Sequence, residues 1–504
     1  MIKTLVVNTG SNVSVMLVKL VITFVMTPIL VRNLGNYDYG LWEMVGAIVG
    51  YAGMLDLGIR PAVSRYAAKF HAEQDRDRML EVYSSSMAFM FCVGAVLMLV
   101  CAAFAFTAPE ILAPEGASTD IYALFLLILG VQLLFSFPGF VAESYLEGLQ
   151  KYYLKNNITI INSIIGSVIV FQLINDSNAL WLLAAVNAAG LSIKYCLFGT
   201  MLAQKKNGRL IPSRRSFSLF QLRDLLSFGG KSFVQGVATR VDNATDALVI
   251  GFVLGPAMVP FYSVPANLVN YLRTLGWTLS HAFMPLFSRL DAMAEFDRTR
   301  EIYLTASKFV VGLLLPISAG ILVVGSPFLT LWIGPEYGEK SQWVFFYLVA
   351  FCILPLLNPF ASRYLTAINQ HGIFARLMPI GAAANLILSL ILVHTHGIEG
   401  VAFASLIPTI VLVPVYLKCV CRNLGISMLD YVRRCLLPVL IPTASLGVTA
   451  VVIRMVTSLD SYGDIVLTAV GGGLVWLPCF WFMALSPQDR ASFLKLFRSK
   501  LAGG

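Results

Sequence analysis

Long apolar runs, separated by short polar segments, make up this chain. The pattern lacks the regular alternation of apolar and polar residues that is typical of the helices and strands of a soluble protein. Runs of about 20 apolar residues recur from end to end, and each could cross a hydrocarbon core of roughly 30 Å as an α-helix. Fourteen such runs predict spans at residues 9–31, 39–57, 83–107, 121–145, 158–174, 179–202, 226–253, 260–286, 303–333, 343–367, 374–393, 401–421, 436–456 and 465–485. We therefore expect an all-α, multi-pass membrane protein.

Composition supports the same fold class. Of the 504 residues, 58% are hydrophobic and 12% are charged, whereas soluble domains carry about 25% charged residues. The first apolar run contains Lys19 and lacks the compact core and small-residue cleavage site of a secretory signal, so we expect it to be retained as a span.

Lysine and arginine concentrate in alternate loops, as they do on the cytoplasmic side of membrane proteins. One side holds the basic groups of segments 60–78, 151–155, 205–223, 289–300 and 418–434, whereas the other holds only Arg32, Lys340 and Arg454. Both termini are therefore predicted to be cytoplasmic. This bias also accounts for the net charge of +9, and without a basic patch interleaved with aromatic residues we expect no nucleic-acid partner.

No motif indicates an enzyme, a metal or a cofactor. The eight cysteines lack metal-ligand spacing, and the chain has neither a phosphate-binding glycine loop nor an HExxH motif. The outer loops are short, which disfavours an aqueous catalytic loop. We therefore predict a protein that is not an enzyme and holds no cofactor.

The chain resembles itself at an offset of about 220 residues. Leu34-Gly35 aligns with Leu254-Gly255, the segment entering at Tyr83 aligns with that at Tyr303, and, at offset 219, Tyr145 aligns with Tyr364. An even number of spans per repeat gives the copies one orientation, as in transporters built from parallel repeats. We predict a six-helix lobe over residues 1–215, a second over 216–435, and two further helices with a cytoplasmic tail over 436–504.

Several spans carry polar stripes, which must face protein or water because lipid cannot satisfy them. The stripes follow helical spacing in spans one, seven and eight. Their members are Asn8, Asn12, Lys19, Thr23 and Thr27; Lys231, Gln235, Thr239, Asp242 and Asp246; and Ser263, Asn267, Asn270, Thr274 and His281. Arg240 and Arg273 flank the second and third stripes, and Glu43 lies on a glycine-rich face of span two.

Each charged position has two interpretations. Lys231, Lys308, Arg363 and Lys194 are expected to extend towards the membrane interface. Lys19, Arg240 and Arg273 lie deeper in their spans or on a polar face, and we favour a role in substrate binding for them. Asp242 and Asp246 either pair with Lys231 or Arg240 to hold the bundle together or couple transport to an ion.

Sequence motifs resemble one known family. The segments Thr27 to Gly35, Tyr37 to Trp42, Leu55 to Ile59 and Ser64 to Tyr66 look like the amino-terminal pattern of polysaccharide-biosynthesis flippases, and Arg240 to Asp242 with Asp246 to Ile250 resemble that family's second half. The family lies in the multidrug/oligosaccharidyl-lipid/polysaccharide (MOP) transporter superfamily. The resemblance covers nearly the whole chain but does not indicate which glycan is carried.

The resemblance implies translocation of an undecaprenyl-diphosphate-linked oligosaccharide from the cytoplasmic to the outer leaflet of the inner membrane, by alternating access. Together with the polar stripes it leads us to predict a substrate site that includes Lys19, Arg240, Arg273, Asn267 and Asn270. The polar residues inside the spans also make Asp242, Asp246 and Glu43 our candidates for ion coupling. The cationic residues carry over in role only, because their positions vary in the family. Implied partners are membrane lipids, a polysaccharide polymerase and a chain-length regulator. The alternatives are a cation-coupled drug or metabolite exporter and, more remotely, a membrane glycosyltransferase or ligase.

Overall fold

The computed structural model describes residues 2–114, 117–175, 178–204, 210–281, 283–370, 372–457, 459–487 and 490, with only the backbone for 2–7, 9 and 231–244. Helices connected by short turns and loops make up the described residues, which contain no β-strand. Ten described helices are long and apolar enough to cross a membrane. The predicted all-α, multi-pass fold is therefore confirmed.

The chain divides into two compact units, Met1–Val259 and Pro260–Gly504. Unit 1 contains α1 (Ile2–Ala52), α2 (Ile59–Ala72), α3 (Arg76–Thr107), α4 (Thr119–Gly148), α5 (Tyr152–Leu173), α6 (Ala179–Ala203) and α7 (Leu219–Leu254). Unit 2 contains α8 (Pro260–His281), α9 (Met284–Ala292), α10 (Phe296–Trp332), α11 (Pro335–Lys340), α12 (Gln342–Leu356), α13 (Ala361–Ala367), α14 (Gly372–Leu424), α15 (Met428–Tyr431), α16 (Leu437–Val456) and α17 (Tyr462–Cys479).

Two of these helices are double-length and broken at a glycine. The α1 helix holds predicted spans one and two and breaks at Gly35, and α14 holds spans eleven and twelve and breaks at Gly397. Both glycines have positive φ angles, a conformation that L-amino acids with a side chain adopt at a cost. Each break therefore provides the turn that the sequence predicts between two spans.

Positions that the sequence repeat aligns have matching geometry. Gly35 (φ 69°, ψ 175°) and Gly255 (φ 92°, ψ 156°) make similar turns. Tyr83 meets Tyr145 edge to face at a ring-centroid distance of 5.3 Å, and Tyr303 meets Tyr364 in the same manner at 5.2 Å. These pairs support an internal repeat. The predicted lobe boundaries at 215/216 and 435/436 stay a prediction.

Within unit 1, α7 approaches the turn before α2 at backbone distance. A Cβ atom built on Gly58 would lie 2.2 Å from the carbonyl oxygen of Gly229, and one built on Gly229 would lie 2.6 Å from the carbonyl oxygen of Leu57. Gly58 also has a φ of +78°. Only glycine satisfies both conditions, so this contact fixes the position of the α2 turn, which precedes Arg60.

Candidate functional site

Lys194 is the most buried lysine among the side chains that the structure describes. It lies on α6, roughly 13 Å along the helix from its end at Ala203, and its exposed fraction is 8%. Its Nζ atom packs over the Tyr195 ring at 4.2 Å from the centroid. The sequence predicts that Lys194 extends to the membrane interface. In the structure it is instead buried inside unit 1.

An aromatic pair separates Lys194 from an arginine on α2. Phe140 and Tyr195 meet edge to face at 5.8 Å, and the Arg60 guanidinium packs over the opposite member, Phe140, at 4.6 Å. Gly139 permits this arrangement, because a Cβ atom there would lie 2.1 Å from the Tyr195 ring. The two rings thus hold one cation on each side.

Lys155, at the start of α5, bridges two carboxylates of α4. Its Nζ atom lies 2.6 Å from Glu147 Oε1 and 3.5 Å from Glu143 Oε1. The exposed fractions of the three side chains are between 15% and 26%. Ion pairs that are this shielded are held more firmly than those on an open surface.

The charges of these elements are close enough to act together. Lys194 is within electrostatic range of Glu143, Lys19, Lys155 and Arg60. We call Lys19, Arg60, Lys155, Lys194, Glu143 and Glu147 the charged cluster. Four cations and two carboxylates leave a positive excess in a unit of apolar helices, so the charged cluster is suited to an anionic ligand.

Among the predicted substrate residues, Lys19 belongs to the charged cluster, and its side chain is exposed. Other members of the span-one stripe have structural contacts. Asn8 Nδ2 donates to the carbonyl of Gln150, and Asn12 accepts from Asn156 Nδ2. These bonds tie α1 to the start of α5, close to Lys155. The stripe thus combines a packing role with the placement of Lys19.

The other predicted residues of unit 1 are described only in part. Arg240 and Asp242 lie on α7, and their side chains are outside the described residues, as are those of Lys231, Gln235 and Thr239. Asp246 and Glu43 are half-buried. The neighbouring Thr245 is buried and hydrogen-bonded to Tyr51. Ion coupling by Asp242, Asp246 or Glu43 stays a prediction.

Arg273, Asn267 and Asn270 all lie on α8 of unit 2. Arg273 is half-buried, and its guanidinium packs over the Trp277 ring at 5.2 Å. Asn267 is half-buried and Asn270 is exposed. The α8 helix is not one of the ten apolar candidates, in keeping with its predicted polar stripe. The assignment of Lys19, Arg240 and Arg273 to one substrate site stays a prediction.

Sequence reasoning missed most of the charged cluster. It counted Arg60 and Lys155 as loop cations, and it did not single out Glu143 or Glu147. The spacing of charges near the end of α4 could have indicated part of it. Glu143 and Glu147 are one helical turn apart on α4, and Lys155 follows the turn that leads into α5. The approach of α6, which brings Lys194, is a tertiary contact without a local signal.

The amino-terminal part of the chain matches a known family. Residues 5–291, more than half of the sequence, match the model of the family described as polysaccharide biosynthesis protein. The chain belongs to this family. The predicted membership of the MOP superfamily is thereby confirmed. The family match covers unit 1 from residue 5 onwards, including the charged cluster.

Relatives extend over the full length. The uncharacterized membrane protein EpsK of Bacillus subtilis is 22% identical over 98% of this chain and 98% of its own length. A putative O-antigen transporter of Shigella flexneri is 24% identical over 74% of this chain and 88% of that protein. The name of the Shigella protein describes a transporter, not a catalytic activity.

Solved structures show the same fold. The lipid II flippase MurJ in an inward closed conformation matches with a TM-score of 0.71 at 16% identity, over 95% of this chain and 98% of MurJ. An inward-facing multidrug resistance MATE transporter of the MOP superfamily matches with a TM-score of 0.64 at 15% identity, over 80% and 94% of the two chains. At this identity the likeness concerns the fold alone.

Proposed function

We propose that this member of the polysaccharide-biosynthesis family is a flippase for an undecaprenyl-diphosphate-linked oligosaccharide. It moves the lipid from the cytoplasmic to the outer leaflet of the inner membrane for surface polysaccharide biosynthesis, with both of its own termini cytoplasmic. The observation that carries the proposal is the charged cluster around the buried Lys194. Support also comes from the putative O-antigen transporter of Shigella flexneri among its relatives.

The physical argument concerns the diphosphate. A group with two negative charges crosses hydrocarbon only at great cost, and cationic donors lower that cost through charge-assisted hydrogen bonds. Lys194 and Lys19 are suited to this role, and we assign the same role to Arg240 and Arg273, with Asn267 and Asn270 binding the sugar. The prenyl tail stays in lipid throughout. Alternating access then exposes the bound headgroup first to one side and then to the other.

The chain itself performs no chemistry on the substrate in this proposal. Synthesis of the lipid-linked unit and its polymerisation belong to other proteins, including a polysaccharide polymerase and a chain-length regulator. Asp242, Asp246 and Glu43 couple the movement to an ion gradient.

The decisive experiment measures surface glycan in a host whose copy of the gene is deleted and replaced by variants, alongside a membrane-expression blot. Lys194→Met, Arg240→Ala and Arg273→Ala should each lower export at least tenfold at normal expression, because each removes donors to the anion. Val413→Met is the control, since residue 413 aligns with 194 in the second repeat. Normal export from all three cation variants would refute the cationic mechanism.

An exporter of cationic drugs would give a different pattern. Asp242→Asn would then abolish drug resistance, whereas the glycan level would not depend on the gene at all. In a flippase coupled through Asp242, the same variant should export glycan without dependence on the gradient. If Asp242 instead forms a structural ion pair, Asp242→Asn should reduce the amount of protein in the membrane.

A further inference from the structure

A pocket of about 640 Å³ opens beside α2 in unit 1, a volume within the range of small-ligand sites. The start of α2, the end of α4 and the start of α5 form its walls. We call it the α2 pocket, and its lining includes Asp56, Arg60, Ser64, Arg65, Glu147 and Tyr152. These segments belong to the side of the membrane that the charge pattern predicts to be cytoplasmic.

Aromatic rings, not carboxylates, hold the two arginines of the α2 pocket. Arg60 packs over Phe140 at 4.6 Å and Arg65 packs over Phe228 at 4.4 Å. Among the side chains that the structure describes, neither guanidinium has a carboxylate within ion-pair distance. A guanidinium held by a ring face keeps its in-plane N–H donors for a ligand.

The acidic groups of the pocket are already engaged. Asp56 Oδ1 accepts a hydrogen bond from the backbone N–H of Gly58 at 2.8 Å, and Glu147 accepts from Lys155 at 2.6 Å. Neither carboxylate therefore neutralises the arginines directly. Among the described side chains, the pocket lining and the charged cluster together hold five cationic groups and three carboxylates, a positive excess of two. These groups are Lys19, Arg60, Arg65, Lys155, Lys194, Asp56, Glu143 and Glu147.

The pocket is preformed by a close helix contact. A Cβ atom built on Gly148, at the end of α4, would lie 2.4 Å from the carbonyl oxygen of Ser64 on α2. This contact fixes α2 against α4 and so fixes the separation of Arg60 and Arg65 from Glu147. A rigid pair of arginine donors is suited to the tetrahedral oxygens of a phosphate group.

We propose that the α2 pocket is a phosphate-binding site that receives the anionic headgroup of a membrane lipid before the headgroup reaches Lys194. Arg65 is the outer contact, and Arg60 belongs both to the pocket and to the charged cluster. Where the ligand is a lipid-linked sugar diphosphate, the inference rests on the proposed function. The same chemistry would accept the headgroup of an anionic phospholipid.

Binding of farnesyl diphosphate to the purified full-length chain in phosphatidylcholine nanodiscs tests the site. Arg60→Ala and Arg65→Ala should each weaken binding about tenfold, since each removes a charge-assisted contact, and Arg65→Lys should weaken it less. Lys69→Ala is the matched control. It removes one positive charge from the same helix, where Lys69 pairs with Glu73 in solvent, and should change affinity less than twofold. Equal affinity in both arginine variants and wild type, each eluting as a single species, overturns the proposal.

A second arm identifies the source of the phosphate. Farnesyl diphosphate binding is compared between nanodiscs of phosphatidylcholine alone and nanodiscs that also contain phosphatidylglycerol. The lipid that the protein retains is measured by native mass spectrometry. Displacement of farnesyl diphosphate, with arginine-dependent retention of phosphatidylglycerol, assigns the pocket to a phospholipid. Undiminished diphosphate binding assigns it to a prenyl-linked substrate. Either result supports a phosphate site, and arginine-independent binding of both lipids refutes it.

The glycan assay separates this inference from the proposed function. If Arg60→Ala and Arg65→Ala both bind farnesyl diphosphate as wild type does while Lys194→Met abolishes glycan export, the α2 pocket proposal fails and the flippase proposal stands. If deletion of the gene leaves surface glycan unchanged while farnesyl diphosphate binding depends on Arg60 and Arg65, the flippase proposal fails and the phosphate site stands.

Discussion

The two units share a scaffold but differ in where they carry charge. The tyrosine pairs occupy equivalent places in both. Yet every charged residue of the cluster and the α2 pocket aligns with an uncharged residue at offset 220 or 219. Lys19 aligns with Thr239, which also lies in unit 1. The alignments with unit 2 are Asp56 with Gly276, Arg60 with Ser280, Arg65 with Pro285, Glu143 with Ser362, Glu147 with Thr366, Lys155 with Phe374 and Lys194 with Val413.

In unit 2 the equivalent region is packed with hydrogen bonds and rings instead. Ser280, in the place of Arg60, is buried and donates to the carbonyl of Pro359 at 2.8 Å. Phe374, in the place of Lys155, meets Tyr416 at 4.4 Å between ring centroids. The equivalent region of unit 2 therefore forms without charges at these positions, which supports the proposed anion sites of unit 1.

The largest expected difference in stability between aligned substitutions is at the turn before α2. Gly58→Ala places a Cβ atom against the backbone of Gly229 at a positive φ angle, and should destabilise the protein by about 3 kcal/mol or more. Thr278→Ala, at the aligned position of unit 2, should cost less than about 0.5 kcal/mol because Thr278 is exposed. Thermal unfolding in detergent measures both, and equal stability of the two variants would show that the Gly58–Gly229 contact does not restrain α7.

Much of this scaffold follows from sequence alone. Fourteen apolar runs predict the helices, and the turn at Gly35 could be predicted because its partner at Gly255 repeats the pattern. The charged cluster could be predicted only in part. Lys19 stands out as a cation deep in a span, whereas the environment of Lys194 depends on Glu143, a residue of another helix. Such a contact leaves no local periodicity to detect.

The second largest expected change in stability concerns the ion pairs of unit 1. Lys155→Met leaves Glu143 and Glu147 without their shared partner, and partly buried carboxylates without a cation should cost about 2 kcal/mol. Phe374→Met, the aligned change in unit 2, keeps an apolar contact with Tyr416 and should cost less than about 1 kcal/mol. Unfolding in detergent at two salt concentrations measures the difference. The ion-pair interpretation requires that adding Glu143→Gln to Lys155→Met restore part of the loss, and no restoration would contradict it.

The smallest expected effect concerns the two tyrosine pairs. A different member of the aligned pair donates a hydrogen bond in each unit. In unit 1 the hydroxyl of Tyr145 donates to the carbonyl of Met79 at 2.9 Å, whereas in unit 2 it is Tyr303 that donates, to Asn358 Oδ1 at 2.6 Å. Tyr145→Phe and Tyr303→Phe should therefore each cost about 1 kcal/mol, the usual net value of a buried hydrogen bond.

The other members of the two pairs are the controls. Among the described residues, Tyr83 and Tyr364 have no hydrogen-bond partner for their hydroxyls, so Tyr83→Phe and Tyr364→Phe should change stability by less than about 0.3 kcal/mol. All four variants keep the edge-to-face ring contact, so the difference isolates the hydroxyl. Thermal unfolding of the four proteins under one condition provides the measurement. Equal losses within each pair would show that the hydrogen bonds of Tyr145 and Tyr303 do not distinguish these residues from their ring partners.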